Sequence, residues 1–213
     1  YMDELTDSAQ LIGAVNTVIH RDGKLIGHNT DGIGFFRSLA TFADFDVKDK
    51  TMTILGGGGA ATALIAQAAL NGARHINIFN QTAFLEATRQ KAQELADKTG
   101  VSIDVYPVED VSLIQETVLA SQLVVNATSV GMDGISMLIA EDFTFPEGIL
   151  VADTIYQPFE TPFLALARSQ GLTALNGLGM LLFQAAEAFE CWTRETMPTT
   201  EIWSALEEKY NTK

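Results

Sequence analysis

The chain has 213 residues, 47% of them hydrophobic and 19% charged, the balance of an ordinary globular protein able to bury a proper core as one large domain or two small ones. A formal net charge of −14, with no cluster of Lys or Arg, disfavours nucleic acid and anionic membrane surfaces as partners. The single cysteine, Cys191, excludes an internal disulfide and fits a reducing compartment; no stretch reads as a signal peptide or as a membrane span, so the cytoplasm is the expected location.

The chain opens at Tyr1 rather than Met, inside a polar stretch, and is therefore expected to be a fragment whose natural start has been lost. Residues 1–12 are expected as helix, leading through Gly13-Ala-Val-Asn16-Thr17 into a hairpin with strands Thr17–His20 and Lys24–His28 around Arg21-Asp22-Gly23. Asn29-Thr30-Asp31-Gly32 then opens a helix carrying Ile33, Phe35, Phe36, Leu39 and Phe42 at helical spacing. From residue 51 strands and helices alternate. The strands are expected at 51–55, 75–80, 102–106, 122–126 and 149–153, with a weaker one near 172–175, and the helices at 59–71, 82–99, 111–120 and 160–170. Near-continuous apolar strands such as Leu123-Val-Val125 and Ile149-Leu-Val-Ala152 imply a parallel sheet covered on both faces, so the expected fold class is α/β, doubly wound and Rossmann-like. Helices at 179–193 and 199–210 close the chain.

The most informative segment is Gly56-Gly57-Gly58-Gly59-Ala60, which follows the strand Thr51–Leu55 and runs into the helix Leu64–Leu70. Strand, glycine turn and helix, with a second strand His75–Asn80 at βαβ spacing, place a dinucleotide's pyrophosphate against free amides of a helix N-terminus. That second strand ends Asn80-Gln81-Thr82, offering neither the acid that holds an NAD ribose nor an Arg for an NADP phosphate; Arg74 and Arg89 are not placed as clamps, and without a cation the balance leans to NAD. By itself Asn29-Thr30-Asp31 reads as a helix N-cap; functionally, Asp31 would hold or deprotonate a substrate hydroxyl, kept ionised by the helix N-terminus. Asn16 is a turn residue or an amide suited to a polyhydroxylated ligand. Asn126-Ala-Thr128-Ser129 and Asp153-Thr-Ile-Tyr156 end strands at the edge where such sheets bind ligands, and each reads equally as a polar loop. Met180 and Gln184 share one face of a buried helix begun by Gly177. Cys191 is expected as a core thiol, and His20 and His28 as surface residues flanking the hairpin turn, so no metal site is expected.

Together, Gly13-Ala-Val-Asn16-Thr, Gly27-His-Asn29-Thr30-Asp31-Gly32, the glycine turn, Asn126-Ala-Thr-Ser-Val-Gly-Met132, Asp153-x-x-Tyr156-x-Pro158 and Gly177-x-Gly179-Met180-Leu181-x-x-Gln184 resemble the shikimate dehydrogenase family, its quinate/shikimate branch included. The similarity runs from about residue 5 to residue 205. The resemblance implies reversible NAD- or NADP-linked oxidation of shikimate or quinate, a step of aromatic amino-acid biosynthesis, in a monomer or homodimer. It implies Asp31 as the catalytic aspartate, and Asn16, Asp31, Tyr156 and Gln184 as substrate-binding residues. Gly56, Gly58, Gly59, Ala60, Asn80, Gln81, Thr82, Thr128, Gly177 and Met180 would surround the cofactor, with Gln81 standing where NADP-binding members carry Arg. Residues 1–31 are expected to be the remnant of a substrate-binding lobe and 32–176 the dinucleotide-binding domain. The helices of 177–213 would return to that lobe and set Gln184 opposite Asp31 across the cleft. The family's Asn-Val-Thr-x-Pro-x-Lys segment with its catalytic lysine is not among these residues, and none of Lys24, Lys48, Lys50, Lys91, Lys98, Lys209 and Lys213 replaces it, so the chain alone is expected to be inactive or nearly so. A methylenetetrahydrofolate dehydrogenase-like enzyme and a non-catalytic dinucleotide-binding module are the alternatives.

Overall fold

The computed structural model describes residues 1–210; Lys213 and the last three residues of the expected 177–213 segment lie outside the described residues. The chain begins with β1 (Glu4–Leu5) and α1 (Asp7–Ile12). Residues 1–12 are therefore not one helix. Glu4 and Leu5 pair in parallel with Ile26 and Gly27, and Thr6 starts the helix by accepting a hydrogen bond from Ala9 N on its side chain. β2 (Thr17–Arg21) and β3 (Lys24–His28) pair antiparallel, Thr17 facing His28, through Asp22-Gly23, both at positive φ as a two-residue hairpin turn requires. These three strands form a small separate sheet.

α2 (Asp31–Ala43) leads into β4 (Thr51–Leu55), α3 (Gly59–Leu70), β5 (His75–Asn80), α4 (Leu85–Thr99), β6 (Ser102–Pro107), α5 (Val111–Leu119), β7 (Leu123–Asn126), β8 (Leu150–Asp153), α6 (Pro162–Ser169), β9 (Ala174–Leu175), α7 (Leu178–Thr193) and α8 (Thr199–Tyr210). The expected helix at 82–99 starts as a tight 3₁₀ turn over Thr82–Phe84, and the strand expected near 172–175 is only two residues long. Six strands form one parallel sheet in the order β6-β5-β4-β7-β8-β9. That order reverses between β4 and β7, and a ligand crevice forms at such a point.

Alternation along the strands divides the core. Ile54, Ile78, Val125 and Ala152 face Leu39, Leu64 and Ala92 on one side, while Leu55, Phe79, Val124 and Val151 face Ile114, Val118 and Leu164 on the other. The chain from β7 to β8 has no helix; Ile139, Phe143 and Phe145 anchor it to the second cluster. α7 crosses α2 closely because both carry glycine at the contact: a Cβ on Gly34 would lie 2.4 Å from Gln184 N, and one on Gly179 would lie 2.8 Å from Ser38 Cβ. Arg37 and Glu190 pair across the same crossing at 3.4 Å. α7 also reaches the small sheet, where Trp192 Nε1 donates to Val18 O at 2.9 Å. No helix among the described residues is long and apolar enough to cross a membrane.

Candidate active site and cofactor cleft

The glycine turn links the C-terminal ends of three strands. Gly56 sits at φ 122°, where a Cβ would lie 2.7 Å from Ala127 O, and a Cβ on Gly57 would lie 2.1 Å from Asn80 Nδ2. These two glycines are demanded by the protein's own packing. Gly58 and Gly59 are not: both are exposed, and nothing lies within 4 Å of where their Cβ atoms would be. α3 begins there with no side-chain cap, so the amides of its first turn, Gly59, Ala60 and Ala61, have no acceptor within the helix. Bare main chain, uncapped donors and open space together suit a phosphate group.

Beside this turn a cavity of about 430 Å³ opens between α3 and α4, with Ile65, Ile78 and Leu95 beneath it. Asn80 is fixed at its mouth by a 2.9 Å bond from its Nδ2 to Thr88 Oγ1. Thr82 donates through N and Oγ1 to the Glu109 carboxylate at 3.2 and 3.0 Å, and hydrogen bonds from the acid's own backbone and from Thr82 hold Glu109 below the usual carboxylate range. The neutral Gln81 lines the cavity, and the residue after it, Thr82, is bound by a negative charge. Arg74 binds Thr51 Oγ1 at the opposite end of the strands. Phe84, Thr88 and Lys91 line this cavity and were not singled out by pattern; Phe84 is 57% exposed, and Lys91 Nζ donates to Ile12 O at 2.8 Å. The spacing Thr88-Lys91-Ala92-Leu95 on one helix face is the signal that finds the last part of the lining.

The loop after β7 is held by a buried acid. Asp153 is 1% exposed and accepts from Asn126 Nδ2, Ile155 N and Thr161 Oγ1. Burial pushes its carboxyl up to about 6 despite those bonds. Asn126 in turn accepts from Thr128 N and Thr128 Oγ1 and donates to Val130 O, which seats Thr128 against Gly56.

Asn16, Thr30, Asp31 and Gln184 come together from distant parts of the chain. Asn16 Nδ2 donates to Asp31 Oδ1 at 2.9 Å and to Thr30 Oγ1 at 3.1 Å, while Asn16 Oδ1 accepts from Thr30 N. Thr30 Oγ1 reaches Gln184 Oε1 at 3.5 Å, so Gln184 joins this cluster directly. Thr30, the N-cap residue of α2, makes no side-chain cap, and Asn29 Oδ1 accepts from Asp31 N just ahead of the helix. Burial raises the Asp31 carboxyl above its ordinary range, opposed by the Asn16 bond. A Cβ on Gly32 would lie 2.5 Å from Ala63 O, which puts the start of α2 one turn of α3 from the glycine turn.

Tyr156 stands apart from this cluster: it is 37% exposed and packs edge-on to Tyr210 at 5.7 Å. Gly177 is buried with its N–H on Ile155 O, and Met180 packs against the first core cluster. His28 is not a surface residue; it is 8% exposed, with Nδ1 facing Thr6 Oγ1 at 2.9 Å.

Comparison with known proteins is consistent across sequence and structure. The family model for the shikimate 5'-dehydrogenase C-terminal domain matches residues 177–207. Over 213 residues the chain is 68% identical to shikimate dehydrogenase (NADP(+)) from Streptococcus mutans, all of this chain aligning with 74% of that protein. It is similar to the crystal structure of shikimate 5-dehydrogenase from Listeria monocytogenes in complex with shikimate and NAD, at TM-score 0.91 and 42% identity over 97% of this chain and 72% of that one. The ligand-free 5-ketofructose reductase of a Gluconobacter strain follows at TM-score 0.84 and 36% identity, over 98% and 73% of the two chains.

Proposed function

Because this chain belongs to the shikimate dehydrogenase family, we propose that it serves a reversible nicotinamide-linked oxidation of a ring hydroxyl to a ketone, with shikimate or quinate as the alcohol. The observation that carries this is the uncapped, solvent-open turn at Gly58–Ala60 lying one turn of α3 from the Asn16–Thr30–Asp31–Gln184 cluster. The nicotinamide, when bound, supplies the hydride acceptor. The chain's own work is binding and proton management. Amides of Gly59 and Ala60 bind the diphosphate, Thr128 borders it, and Asn80 with Gln81 and Thr82 faces the adenosine end. Gly177 and Met180 flank the nicotinamide end. Asn16 and Gln184 orient the substrate hydroxyls, and Tyr156 lies at the edge of the substrate space. Asp31, once ionised, takes the hydroxyl proton as hydride leaves the same carbon, so two electrons and one proton are accounted for.

Within this reading, residues 1–31 with 177–210 form the substrate side and 32–176 the dinucleotide side. NAD is preferred to NADP, because Gln81 offers no cation and the next residue, Thr82, is bound to the Glu109 carboxylate rather than to a positive group. No lysine is hydrogen-bonded to the Asp31 cluster among the described residues. A missing acid–base partner is worth about 10²–10⁴ in rate, so these 213 residues alone are expected to bind cofactor yet turn over slowly.

Calorimetry with NADH, NADPH, shikimate, quinate and a reduced folate tests the proposal. Binding of NADH together with shikimate or quinate supports it. Folate in place of the cyclic acid would move the chain to a folate-linked enzyme, and dinucleotide binding with neither acid would leave only a binding module.

A further inference from the structure

His28, Glu187 and Cys191 meet although 163 residues separate the first from the last. His28 ends β3, while Glu187 and Cys191 are four apart on α7 and so share a face. One ligand atom from each lies within 4.8 Å of the other two. Among the described residues none of the three donors is hydrogen-bonded to another. Thr6 Oγ1 and Ser8 Oγ engage His28 Nδ1 at 2.9 and 3.3 Å, which orients the ring; in the tautomer with the proton on Nδ1, the lone pair is on Nε2. A hydrogen-bond partner on the second ring nitrogen fixes the tautomer and orientation of a metal-binding histidine.

We propose that these residues form a binding site for a borderline-soft divalent cation of the Zn²⁺ type, held by His28 Nε2, the Glu187 carboxylate and Cys191 Sγ. Imidazole, carboxylate and thiolate are all ordinary zinc ligands, and the mixed set disfavours Mg²⁺ and Ca²⁺, which take oxygen. Three protein ligands leave a fourth position for water, so the ion exchanges with solution rather than acting as a folding element. On binding, the Cys191 thiol gives its proton to solvent as the sulfur–metal bond forms, and water leaves the ion's shell. The site does not depend on the redox reading of the cleft: it needs only β3 and α7 in place.

Because Cys191 is the only cysteine, Co²⁺ is a direct probe: a sulfur-to-cobalt charge-transfer band can arise from no other residue. Untagged, reduced protein titrated with Co²⁺ is expected to show that band with tetrahedral d–d absorption at one equivalent, and Zn²⁺ is expected to displace it. Cys191→Ser should abolish the band, Glu187→Gln should weaken Zn²⁺ binding by about 10-fold or more, and His20→Gln, an exposed control, should change neither. Both ligand variants replace half-buried side chains by near-isosteres, so circular dichroism should be unchanged. Cobalt binding without the sulfur band, no binding at all, or Zn²⁺ affinity unaltered in Cys191→Ser and Glu187→Gln would overturn the proposal.

Discussion

Replacing Asp153 by Asn isolates a buried charge that the loop around Thr128 depends on. The wild-type carboxyl is pushed from its ordinary value of 3.8 to about 6 by burial, and it is almost fully enclosed. Below the lower value both folded and unfolded chains are protonated. As pH rises from there, the unfolded chain releases its proton first while the folded one retains it, so stability falls until the folded group also ionises. At about 1.4 kcal/mol per pH unit the loss amounts to about 3 kcal/mol by neutral pH. Asn cannot titrate, so the variant lacks this slope. It also turns an NH₂ toward a donor, since Asn126 Nδ2 bonds both Asp153 oxygens; that costs about 1–3 kcal/mol independent of pH. Urea unfolding of both proteins at steps from about pH 4 to about pH 7 reads the difference directly, because all other titrations cancel. Wild-type stability should fall relative to the variant by about 2.4 kcal/mol across this range, the rest of the loss lying below about pH 4. Two curves that stay parallel would refute the account of Asp153 as a destabilised buried carboxylate.

Asn16→Ala removes the hydrogen bond that opposes desolvation of Asp31, so a carbon NMR titration of that carboxyl should show a higher midpoint than wild type; an unchanged or lower one contradicts the cluster. Gly34→Ala drives a methyl toward Gln184 N, and the overpacking of about 1–3 kcal/mol should outweigh the helix-propensity gain of about 1 kcal/mol; a raised midpoint of thermal unfolding would argue that α2 and α7 can separate at no cost. Gln81→Arg adds a guanidinium to a lining whose lysine, Lys91, is held by Ile12 O, and should improve NADPH binding over NADH by about 10- to 100-fold, measured by fluorescence titration; no change would place the 2'-phosphate elsewhere.

The parallel sheet and the glycine turn were legible because their signals are local: near-continuous apolar strands, a glycine run and a helix within twenty residues of each other. Asn16 and Asp31 were readable as polar residues in turns, but not their bond, which depends on β2 and β3 pairing in register. Contacts set by the tertiary fold were hidden. Glu4 and Leu5 become a strand only because β3 offers them an edge, and local polarity alone suggests helix. His28 shows no sequence neighbour of its own kind, yet the α2–α7 crossing brings Cys191 and Glu187 to it. Asp153 looks like any loop acid until Asn126 and Thr161 close over it. Asp31 carries two opposing influences, burial and the bond from Asn16, and both arise only once the chain is folded.

The central claim is that main chain at Gly58 and Gly59 receives a dinucleotide diphosphate, and Gly58→Val tests it most directly. Gly58 has an extended backbone at φ −76°, and nothing lies within 4 Å of its missing Cβ, so the fold should tolerate the side chain. The same side chain would fill the space a phosphate needs. NADH titration should show wild-type binding weakened by about 10-fold or more in the variant, a loss of at least about 1.4 kcal/mol, with unfolding midpoints alike. Equal NADH affinity in the two proteins would contradict the account.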